Sequence, residues 1–74
     1  MPRYYFDVSD RNHNHIDDDG DDLANEQAAR TYARLFLVEQ AARLLRDSNA
    51  AEIVVNVRDI TGPLFRGKLS ASVD

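Results

Sequence analysis

A chain of 74 residues is read as a single domain over residues 1–74, with a small core, and the lack of cysteine excludes disulfides or cysteine-held metal as its staple. No apolar run approaches the ~20 residues needed to span a membrane, and a net charge of −4 disfavours non-specific nucleic-acid binding. No leader pattern opens the chain, and a cysteine-free composition suits a reducing compartment, so the expected location is cytoplasmic.

Residues 3–8 alternate with period two. Tyr4, Phe6 and Val8 fall on one side and Arg3, Tyr5 and Asp7 on the other, which predicts a strand. Residues 9–14 are polar and turn-prone. A short second strand is expected over residues 15–17, with Ile16 as its only apolar residue. Residues 17–22 then form a dense acidic loop, in which Gly20 can reverse the chain.

A helix is predicted from Glu26 to about Asp47. Asn25 supplies an N-cap oxygen, Glu26 suits the positive end of the helix dipole, and no Gly or Pro interrupts the segment. At 1.5 Å per residue it would be roughly 33 Å long. The next strand is expected over residues 52–59, with Ile53, Val55 and Val57 on one face and Val54, Asn56 and Arg58 on the other. Residues 59–63 form a hairpin connection with Gly62 available for positive φ. The last strand, residues 64–73, sets Phe65, Gly67, Leu69, Ala71 and Val73 against Arg66, Lys68, Ser70 and Ser72. The expected fold is α+β: ββαββ, an antiparallel sheet with one long helix packed on one face.

Several of these segments together carry a family resemblance: the opening Met1-Pro2-Arg3-Tyr4-Tyr5-Phe6, the Asp-Asp-Asp-Gly turn, Asn25 before Ala28-Ala29-Arg30, and Val57-Arg58-Asp59 with Gly62. The chain resembles a family of short bacterial proteins known as a domain of unknown function, common in soil- and plant-associated bacteria. Members usually carry an acid where Asn25 stands and a proline where Ala24 stands; the capping argument survives both changes. The resemblance implies no activity. A weaker similarity, in the opening strand, the acidic turn and the capped Ala-rich helix, is to toxin–antitoxin antitoxins with a degraded double-stranded-RNA-binding fold. The proline-rich segment typical of that group before the helix is missing.

No nucleophile elbow, phosphate loop or zinc-protease motif is present, so the chain is not read as an enzyme and no cofactor is expected. His15, Asp17, Asp19, Gly20 and Glu26 imitate calcium-loop spacing. However, His15 stands where an oxygen is required, Asp22 and Leu23 are out of phase, and no helix enters the loop. A solvated acidic turn accounts for it better. His13, His15 and Asp17 share a strand face and could ligate zinc or nickel, although exposed histidines at a polar hairpin need no metal to explain them.

Arg3, Tyr5, Arg58, Arg66 and Lys68 define a possible basic face on the open side of the sheet, where cations meet phosphates and an aromatic ring stacks on bases. The ordinary account of such a face is solvation and protection against edge pairing.

The helix carries two apolar stripes. One is Ala29, Tyr32, Ala33, Phe36, Leu37 and Leu44, interrupted by Gln40 and Arg43; the other is Leu35, Val38, Ala42 and Leu45 with 3-4-3 spacing, begun by Ala28. Either one wide arc is screened by the loop and chain ends, or the second stripe packs on a symmetry mate. The expected function is a small non-catalytic interaction module, self-associating through the helix as a homo-oligomer, with a protein partner rather than nucleic acid or a membrane. The alternative is a nucleic-acid-binding or antitoxin-like partner-binding domain that uses the basic sheet face.

Overall fold

A computed structural model describes all residues, Met1–Asp74. The elements run β1 (Arg3–Ser9), β2 (Asn14–His15), β3 (Asp21–Asp22), α1 (Glu26–Leu44), β4 (Ala50–Asp59) and β5 (Gly62–Ser72). All pairings are antiparallel, and the sheet order is β2-β1-β4-β5, with β3 sharing the outer edge of β1. One helix on one face of this sheet makes the α+β, ββαββ-like fold.

Several element boundaries differ from the sequence reading. The second strand lies at Asn14–His15 rather than over residues 15–17. Residues 21–22 are not loop: they form β3, with Arg3 opposite Asp22 and Tyr4 opposite Asp21. The helix stops at Leu44, before Asp47, and its 19 residues span about 28 Å. There, Leu45 N–H closes the last turn on Ala41 O at 2.9 Å. Both later strands start two residues sooner than expected, because their small or turn-prone first residues carry no apolar alternation.

The two short strands are one strand with an excursion. Val8 pairs with His15 and Tyr4 with Asp21, so five residues, 16–20, lie opposite only three, 5–7. Gly20 closes the excursion at φ +70°. A Cβ there would sit 2.9 Å from Tyr4 O, Arg3 Cγ and Tyr5 Cε2. Glycine is required for conformation and for space together.

Asn25 caps α1 as expected, accepting Ala28 N–H at 2.9 Å on its side-chain oxygen. The core joins Tyr4 and Phe6 of β1, Ile53, Val55 and Val57 of β4, and Ala29, Ala33, Leu37 and Ala41 of α1. Three of those four helix residues are alanine, so the helix backbone approaches β4 and β5 closely. Gly67 of β5 opens the place where Leu37 seats: a Cβ there would lie 3.1 Å from Leu37 Cδ1. Tyr32 covers Phe6 with ring centroids 4.6 Å apart. The first helix stripe therefore faces the sheet, with Ala41 added to it.

Candidate functional site

The acidic excursion is held to the sheet by its own side chains. Asp17 Oδ2 accepts Phe6 N–H at 3.1 Å, and its Oδ1 accepts Asp19 and Gly20 N–H at 3.2 and 3.0 Å. Asp7 Oδ1 accepts Asp17 N–H at 2.9 Å. Arg58 donates from Nε to Asp7 Oδ2 at 2.8 Å and from NH2 to Asp17 O at 2.9 Å. Asp17 is thus part of the fold's hydrogen bonding, not a residue of a solvated turn.

Electrostatics follow from this packing. The Arg58 guanidinium, helped by Asp17 N–H, holds the Asp7 carboxyl below its ordinary range. Burial pushes Asp17 up, but N–H groups from Gly20, Phe6 and Asp19 outweigh it, and its pKa is lowered. With the Asp17 oxygens so committed, no group of three or more histidines and acids is placed to hold a metal ion, and His13, His15 and Asp17 form no such cluster.

The basic-face residues lie on the side of the sheet away from α1, as their alternation places them. Tyr5 pairs with Arg58, Asn56 with Arg66 and Val54 with Lys68. The face is not a set of free cations, however. Arg3 makes a two-pronged pair with Asp22, Nε to Oδ1 at 3.0 Å and NH2 to Oδ2 at 3.1 Å, and donates to Asp19 O. Arg58 is committed to Asp7 and lies over the Tyr5 ring, 4.6 Å from its centroid. Only Arg66 and Lys68 of the set have no ion pair within the chain.

The second helix stripe points away from the sheet. Leu35 is 61% exposed and Val38 57% exposed at mid-helix, and Ala42 is exposed one turn on. Leu45 does not belong with them: it lies beyond the helix, half-buried against the domain's own core. Ala28 and Thr31 extend the outward series toward the N-terminus, giving positions 28, 31, 35, 38 and 42. Thr31 is polar and carries no apolar signal in the sequence, although its 3-4 spacing places it there. Gln40 and Arg43, which interrupt the inner stripe, border a cleft together with His13 and His15.

A sequence model of the domain of unknown function DUF6894 matches residues 3–70. The chain belongs to that family. The match runs from the start of β1 through most of β5, so the acidic excursion, the capped helix and the long hairpin all lie inside the DUF6894 domain. No curated protein and no solved structure matches the chain.

Proposed function

We propose that this DUF6894 domain is a non-catalytic interaction module that self-associates through the outward face of α1. The observation that carries the reading is the pair of large aliphatic side chains, Leu35 and Val38, exposed at the middle of a helix whose opposite face already covers the sheet. With Ala28, Thr31 and Ala42 they follow the 3.5-residue period of a two-helix seam, and the small residues at its ends permit close approach.

Charge complementarity favours a second copy as the occupant. Arg34 and Glu39 flank the seam five residues apart, and neither is in an ion pair within the chain. In a parallel two-helix arrangement, that spacing sets Arg34 of each copy opposite Glu39 of the other. The competing reading, nucleic-acid or antitoxin-like binding through the sheet, loses support because Arg3 and Arg58 are committed to Asp22 and Asp7.

Sedimentation equilibrium over a concentration series tests the proposal. The wild type is expected to be a dimer, and Leu35→Glu/Val38→Glu a folded monomer with unchanged circular dichroism. Arg34→Glu should weaken the dimer and Arg34→Glu/Glu39→Arg restore it. A wild type that stays monomeric throughout the series would sink the reading.

A further inference from the structure

A second surface feature lies on a different flank of α1, away from the outward stripe. Between the C-terminal half of the helix and the β1–β2 hairpin is a cleft of about 370 Å³. Its floor is apolar, formed by half-buried Val8, Phe36 and Leu44 over the fully buried Ile53. Its rim carries Gln40 and Arg43 from the helix and His13 and His15 from the hairpin. The volume is at the small end of ligand sites, which run from roughly 300 to 1,000 Å³.

The rim groups are unequally committed. Asp10, also at the rim, accepts Asn12 and His13 N–H on Oδ1 at 2.8 Å each, and the same oxygen lies 3.6 Å from His13 Nδ1. Arg43 and Gln40 make no side-chain hydrogen bond and no ion pair within the chain. Arg43 also lines an adjoining concavity together with Asp10, Arg46 and Asp47. A free guanidinium and a free carboxamide above an apolar floor are suited to a carboxylate joined to a compact hydrocarbon body. Helix-dipole complementarity alone would explain a cation in the last turn, but it gives no reason for Gln40 and Arg43 to border the same apolar concavity.

We infer that this cleft binds a small organic monoacid, with its apolar body on Val8, Phe36 and Leu44 and its carboxylate on Arg43, assisted by the Gln40 amide. The site is independent of self-association, because none of its residues belongs to the outward stripe.

Amide NMR spectra of the full chain, titrated with phenylacetate, isovalerate and cinnamate, test this. At least one acid is expected to give saturable shifts centred on Val8, His15, Phe36, Gln40 and Leu44. Phenethylamine should bind at least tenfold more weakly than phenylacetate. Arg43→Gln, an exposed position whose change leaves the core intact, should weaken the acid about tenfold, whereas Arg66→Gln on the sheet should not. Three results would each overturn the site: no saturable shifts from any acid up to about 10 mM, shifts centred elsewhere, or equal affinity in Arg43→Gln.

Discussion

The Asp17 carboxylate takes the place of a missing strand beside Phe6. Phe6 N–H lies where the strand partnering β1 breaks between β2 and β3, and Asp17 Oδ2 accepts its proton at 3.1 Å. The chain can therefore leave the sheet edge for residues 16–20 without stranding that amide. Asp17→Ala removes the acceptor for Phe6 and the two acceptor bonds inside the loop, and is expected to destabilise the domain by roughly 1–3 kcal/mol. Asp17→Asn keeps one carbonyl oxygen and should lose less. Urea unfolding measures both, and faster hydrogen exchange at Phe6 in Asp17→Ala locates the effect; unchanged exchange there would reject the assignment.

The same network predicts acid sensitivity. Asp7, held down first by its hydrogen bond from Arg58, and Asp17, held down by backbone N–H groups against the opposing effect of burial, both have folded pKa values below their ordinary ones. A carboxyl whose folded pKa is depressed adds stability that is fully present above the unfolded value of about 3.9 and is lost as pH falls through the folded value. Urea midpoints should therefore be level from pH 7 to about 5 and fall steeply below about 4. Asp7→Asn should lower the midpoint at pH 7 and flatten the acid limb. An acid limb as steep as in the wild type would mean that other carboxylates carry it.

Where side-chain periodicity speaks, the sequence was a sound guide: Tyr4, Phe6 and Val8, then Ile53, Val55 and Val57, turn inward as their alternation requires. Asn25 and Gly62 do what their chemistry suggests. β3 was illegible because Asp21 and Asp22 have no apolar pattern; they join the sheet through backbone pairing and the Arg3–Asp22 ion pair, which links residues 19 positions apart. Alternation places Arg3 and Arg58 on one surface with Arg66 and Lys68, but it cannot reveal that Arg3 and Arg58 pair with Asp22 and Asp7, which are distant in the chain. The cleft left only a faint trace, in Gln40 and Arg43 breaking an apolar stripe.

Gly20 is the least replaceable glycine. Its φ of +70° disfavours other residues, and a Cβ would press on Tyr4 O, a backbone atom that cannot swing aside. Gly20→Ala is expected to destabilise by more than about 1 kcal/mol, beyond the usual effect at positive φ alone. Gly62 has positive φ too, but open space around it. Gly62→Ala meets backbone strain without the clash. Thermal melts of the pair should rank Gly20→Ala below Gly62→Ala, and the reverse order would deny the close approach of the excursion to β1.

Leu37 and Gly67 should behave as one unit of packing. Leu37 is buried, and its Cδ1 would lie 3.1 Å from a Cβ placed at Gly67, with Val55 Cγ1 at 3.3 Å. Leu37→Ala alone leaves a void between helix and sheet and should cost about 2–5 kcal/mol. Gly67→Ala alone forces Leu37 and Val55 aside and is expected to cost about 1 kcal/mol or more. Made together, the new methyl enters space that Leu37 has vacated, so the double variant should be more stable than the sum of the singles predicts. A coupling of at least about 0.5 kcal/mol is expected from the double-mutant cycle. Strict additivity would mean that α1 does not seat Leu37 over Gly67.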